Sequence, residues 1–128
     1  MTELQKAARV IARADALLIG ASNGLSIAEG YHIFAHNAMF RGQFGDFHEQ
    51  YGVRSVIEGC FFRYPDENVR REFLQRLVQH WVKDYRPSQV MKDLLAIVDG
   101  KDYFILTTNA DTHLELSGFD ADRVFEIE

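Results

Sequence analysis

Two short polar turns hold the residues best suited to chemistry in this chain. The first, Gly20-Ala21-Ser22-Asn23-Gly24-Leu25-Ser26, leaves a short apolar run and opens a helical stretch. At such a turn small residues let the backbone approach a phosphate, and the unpaired helix N–H groups point at the anion. The second, Thr107-Thr108-Asn109-Ala110-Asp111, closes another apolar run. Ligands of open parallel sheets bind beyond the C-terminal strand ends, so polar residues gathered there are well placed. Asn109 can donate and accept, and Asp111 can hold an amide or hydroxyl by accepting. Taken singly, each turn also has a plain structural reading. The first is then a small-residue link from strand to helix, and the second an Asn/Asp turn capping the helix after it.

The elements that must position these turns are legible on either side of them. Thr2 followed by Gln5 forms a capping box, and Leu4, Ala7, Ala8, Ile11 and Ala14 recur at helical spacing, which predicts a helix over 3–14. Ala16 to Ile19 is a continuous apolar run, the pattern of a strand buried on both faces by covering helices. Leu25 to Glu29 begins the next helix, with Gly30 as its stop or kink. Residues 31–65 carry Phe34, Phe40, Phe44, Phe47, Phe61 and Phe62 without a sustained period, and read as short helices and loops. They form a small helical insertion or a lid over a pocket, or simply core. Asp66 caps a long helix to about Tyr85, and Ser88 caps another carrying Val90, Leu94, Leu95, Ile97 and Val98 to Gly100. Tyr103 to Thr107 and Val124 to Ile127 are two further strands, with a helical turn from His113 to Ser117 ended by Gly118 between them. Strands separated by helical crossovers predict an α/β fold: a Rossmann-like, doubly wound parallel sheet of about three strands with flanking helices, incomplete at its end.

The 128 residues fit one domain, and 47% apolar with 26% charged residues is the composition of a globular chain. Fourteen basic against nineteen acidic residues give a net charge of −5, which disfavours nucleic acid as a partner. No apolar run is long enough to span a bilayer, and the first residues lack a signal-peptide layout, so no membrane partner and a cytoplasmic location are expected. A single cysteine, Cys60, supports neither an internal disulfide nor a cysteine zinc site, and among apolar neighbours it reads as an inert core thiol. His32 and His36 stand four apart, yet Gly30 and Asn37 argue against a regular helix there, so they read as packing or surface residues and no metal site is expected. His113 adjoins the second polar turn and could touch a ligand there.

Together the two turns are more specific than either alone. Gly20 to Ser26, Ala28-x-Gly30, Thr107 to Asp111 and Ser117-Gly118-Phe119 stand in the order and spacing of a sirtuin. Phe44-Gly-Asp-Phe47, Tyr51-Gly52 and Thr107 to Phe119 resemble most the microbial, macrodomain-linked branch of that family. The resemblance runs from about Ala14 to the last residue and implies an NAD-binding protein, the N-terminal part of a longer domain. Its complete form would cleave the nicotinamide–ribose bond and either transfer ADP-ribose to a protein side chain or deacylate lysine. It implies that Gly20, Ala21, Ser22, Gly24, Leu25 and Ser26 meet the dinucleotide pyrophosphate and ribose. Asp111 would bind the nicotinamide carboxamide, and Asn109 would orient the ribose or a water, with Phe34 as the aromatic shielding the reacting carbon. Ser22 and Asn23 replace the smaller pair usual in the branch, and His32-Ile33-Phe34-Ala35 stands where ordinary sirtuins have Pro-Asp-Phe-Arg. Glu128 falls at the catalytic histidine position, where the branch commonly has Gln. The family's zinc module and later strands would follow it. The expected partners are NAD or ADP-ribose and a protein substrate, with zinc only in a longer form. The alternatives are a catalytically inactive binding or scaffold module, or a truncated fragment whose exposed sheet edge pairs with a second copy.

Overall fold

Apolar runs make the two long strands, the second enriched in β-favouring Tyr103, Phe104, Ile105 and Thr107: Ala16–Ala21 (β1) and Asp102–Thr107 (β2) run parallel in the register Ala16↔Asp102 to Ala21↔Thr107. Val124–Glu126 (β3) joins the far side of β2, parallel again, with Ile105 opposite Val124 and Thr107 opposite Glu126. The sheet order is therefore β1-β2-β3, with β2 central. The computed structural model describes residues 1–127. It shows an α/β fold, a three-stranded parallel sheet accompanied by helices, as an incomplete Rossmann-like sheet has. Glu128 lies outside the described residues.

The chain divides into two compact units, residues 1–29 with 86–128, and residues 30–85. The first holds the sheet. Its opening helix, Glu3–Arg13 (α1), starts at the capping box: Gln5 N–H donates to Thr2 Oγ1 at 3.2 Å and Thr2 N–H to Gln5 Oε1 at 2.9 Å. Lys101 Nζ donates to the carbonyls of Ala12 and Ala14 at its other end. Asn23–Ala28 (α2) follows β1 directly, two residues earlier than the periodicity suggests. Gln89–Val98 (α6) is capped by Ser88, whose Oγ accepts from Met91 N–H. His113–Leu116 (α7) is the short turn before β3. The core joins Ile105 of β2 to Met91 and Val98 of α6, Leu114 of α7 and Phe119, with Leu17, Ile19, Leu25 and Val124 packed against it.

That core lies on one face of the sheet only. The expectation of strands buried on both faces is corrected here, since Leu18 is 72% exposed, Phe125 56% and Phe104 40%. Burial alternates along β1 and β2, as it does wherever helices cover a single side. A continuous apolar run states that a strand tolerates cover on both faces. It does not state which segments supply that cover.

The second unit is helical and runs on past residue 65 to Tyr85. Ala38–Tyr51 (α3) is capped by Asn37 and ends on Gly52, whose φ of 75° suits glycine. Phe44, at φ −133°, kinks it midway. Val56–Phe61 (α4) is capped by Ser55, and Glu67–Val78 (α5) by Asp66. The single long helix expected to Tyr85 instead widens at Gln79–Lys83 into a π-turn. There Trp81 is buried and its Nε1–H donates to Gln43 Oε1 at 2.9 Å. Phe40, Phe44, Phe47, Val53, Val56, Phe73 and Trp81 form the core of this unit. Three of the six phenylalanines that gave no period are therefore core, whereas Phe61 is mostly exposed and Phe34 half-exposed.

Candidate functional site

The C-terminal ends of β1 and β2 lie side by side, so the turns that leave them must share a rim. Thr108 N–H donates to Ala21 O, which carries the strand pairing one residue into the second turn. Ser22, the N-cap of α2, makes no capping bond. Its Oγ lies 2.9 Å from Thr108 Oγ1 instead. Asn109 spans the gap: its Nδ2 donates to Ser22 O at 2.8 Å and to Ser26 Oγ at 3.2 Å. Ser26 Oγ donates to Asp111 Oδ2 at 2.8 Å. Residues 85 positions apart in sequence thus share a hydrogen bond.

Local chemistry sets the second turn. Thr107 is buried and its Oγ1 accepts Asn109 N–H at 3.0 Å. Asp111 Oδ1 accepts His113 N–H at 3.0 Å, satisfying a free backbone donor at the start of α7. Between them Thr112 sits at φ 61°, a left-handed conformation that a β-branched residue rarely adopts. On the other turn a Cβ built at Gly20 or Gly24 would meet nothing within 4 Å, so both glycines border open space where a ligand has room to approach.

The structure brings together Ser22, Ser26, Asn109 and Asp111, with Ala21 and Leu25 at the same rim. Phe34 belongs to the other unit, where its ring stands edge-on to His32. His113, which adjoins the second turn, is buried, with its Nδ1 3.2 Å from Glu29 Oε1 and 3.6 Å from Asp111 Oδ2. Glu29 went unread in the sequence. A lone acidic residue before a glycine resembles any solvated helix end, and only the Ser88 cap 59 positions later and His113 show otherwise. Burial pushes the Cys60 thiol up, against its use as a nucleophile. No group of three or more potential metal ligands gathers among the described residues.

Fold and rim together place the first unit among parallel α/β proteins with polar residues clustered at the carboxyl ends of their strands. No protein-family profile matches the chain. It is similar, at 30% identity over 132 aligned positions, to Protein ADP-ribosyltransferase of Staphylococcus aureus (strain Mu50 / ATCC 700699). The match takes in 100% of this chain and 41% of that relative, so the chain spans less than half the relative's length. Among the described residues no helix is long and apolar enough to cross a membrane.

Proposed function

We propose that the rim formed by Ser22, Ser26, Asn109 and Asp111 binds NAD as a substrate to be consumed, and that the complete polypeptide transfers its ADP-ribose to a protein side chain. The observation that carries this is the Ser26–Asp111 hydrogen bond of 2.8 Å, which joins the two turns whose motifs resemble a sirtuin's. The similarity to a protein named for ADP-ribose transfer supports the same conclusion. The residues fit the ligand in kind. Gly20 and Gly24 border space for a pyrophosphate, Asp111 has a carboxylate to accept an amide hydrogen, and Asn109 has an amide beside it. When the nicotinamide–ribose bond breaks, positive charge builds on the ribose carbon, and a nearby fixed carboxylate favours that change. Nicotinamide leaves as ADP-ribose passes to the acceptor; a lysine-deacylating variant of this chemistry would use an acyl group as that acceptor.

Release of nicotinamide from NAD by the purified protein tests the proposal. The complete wild-type polypeptide should release it, and Asn109→Ala should abolish release; an inert complete polypeptide overturns the proposal. One observation favours a second reading. Ser26 bonds both Asn109 and Asp111, and Asp111 also accepts the His113 N–H, which is what a scaffold keeping the sheet without chemistry would retain. Calorimetry with ADP-ribose separates the two, because a scaffold shows no binding heat. The proposal extends to pairing of two copies through the open backbone edge of the sheet, which light scattering would report as a species of twice 14.7 kDa.

A further inference from the structure

Behind the rim lies a buried polar pair that the NAD proposal does not use. The side chains of Glu29 and His113 are 0% and 1% exposed. Glu29 Oε2 accepts the Ser88 hydroxyl at 2.7 Å, and Glu29 Oε1 faces His113 Nδ1. That same nitrogen faces Asp111 Oδ2, while the backbone N–H of His113 holds Asp111 Oδ1. Nδ1 lies within hydrogen-bond reach of the Glu29 carboxylate, to which an imidazole N–H can donate. Glu29 therefore holds the ring through Nδ1, and the backbone N–H of His113 holds Oδ1 of Asp111, with the ring nitrogen 3.6 Å from the Oδ2 that Ser26 bonds. A buried carboxylate is retained only where its oxygens are satisfied, so the pair is costly to keep as mere packing. The left-handed Thr112 adds a second cost at the residue that joins Asp111 to His113.

We propose that Glu29 and His113 are positioning residues, which orient the Asp111 carboxylate to recognise the carboxamide of a nicotinamide-type ligand. This rests on the NAD proposal above. ADP-ribose carries the same pyrophosphate and riboses but no carboxamide, so comparing the two ligands isolates the effect. Calorimetry on the full chain should show the wild type binding both. Glu29→Gln and His113→Leu should each weaken NAD about tenfold, a loss of one oriented contact, with ADP-ribose affinity unchanged. His113→Asn, which restores an N–H donor near the Nδ1 position, should recover most of the NAD affinity. Glu29→Gln keeps the side-chain shape and decides the matter if His113→Leu fails to fold. Equal losses for both ligands, or no loss for either, would overturn the positioning role while leaving the NAD proposal standing. A wild type that binds neither ligand overturns the NAD proposal and this one with it.

Discussion

Asn109 ties the two turns together through one amide, donating to a carbonyl and a hydroxyl of the opposite turn. Its replacements should therefore rank by what they put in front of the Ser22 carbonyl. Asn109→Ala removes two donors and should cost about 1 kcal/mol of stability per bond lost. Asn109→Asp sets an acceptor against that carbonyl and a second carboxylate near Asp111, and should be the less stable of the two in thermal denaturation. If Asp and Ala variants melt together, the amide is not the tie. Thr112 makes the opposite case. Its left-handed backbone is strained with a Cβ, so Thr112→Gly should be neutral or raise stability by up to about 1 kcal/mol. A clear loss would mean that the hydroxyl, which donates to Asp111 O at 2.6 Å, outweighs the strain.

At the scale of elements, α4 and α5 meet where Gly59 faces Phe73. A Cβ built at Gly59 would clash with the tip of the Phe73 ring, and that ring is fully buried among Phe44, Phe47 and Tyr64. Gly59→Ala should accordingly lower stability by about 1–3 kcal/mol in denaturant titration, the cost of overpacking a filled core. A neutral result would show that the two helices can part without loss. Nearby, α3 and α5 are joined by Arg76, which donates to both oxygens of Asp46, to Glu72, and stacks over Phe47. The hydrogen bond from Arg76 holds the Asp46 carboxyl below its ordinary 3.8. A depressed carboxyl contributes stability above its unfolded pKa and loses it as the pH falls through the folded one. Stability should thus drop below pH 3.8 in the wild type and drop less in Asp46→Asn. Asp46 is well exposed, so the difference should stay under about 1 kcal/mol.

At the scale of the whole molecule, the sheet has one packed and one open face, and adjacent residues of β2 sample both. Ile105 is fully buried while Phe104 beside it is 40% exposed. Ile105→Ala should cost about 2–5 kcal/mol, whereas Phe104→Ser should stay within about 0.5 kcal/mol. A large loss at Phe104 in the chain alone would mean that its face is covered in solution. Much of this arrangement was readable from local chemistry. Thr2, Asp66 and Ser88 announced their helices as caps, Gly118 its stop, and the apolar runs their strands, because each signal is contained within a few residues. Residues 38–51 hid a helix because its buried face is phenylalanine interrupted by glycines and bent at Phe44, which destroys the period. The π-turn at Gln79–Lys83 was equally invisible; within it Trp81 bonds Gln43, 38 positions away, a contact no local pattern shows.

The sequence by itself determined the strands, most helix starts, and the composition of both polar turns, since those depend on neighbours in the chain. Only the tertiary structure decided that Ser26 bonds Asp111, that His113 turns inward to Glu29, and that one sheet face stays open. Those outcomes depend on parallel pairing of β1 with β2 across more than eighty residues, which fixes where side chains end in space and leaves no periodic trace along the chain.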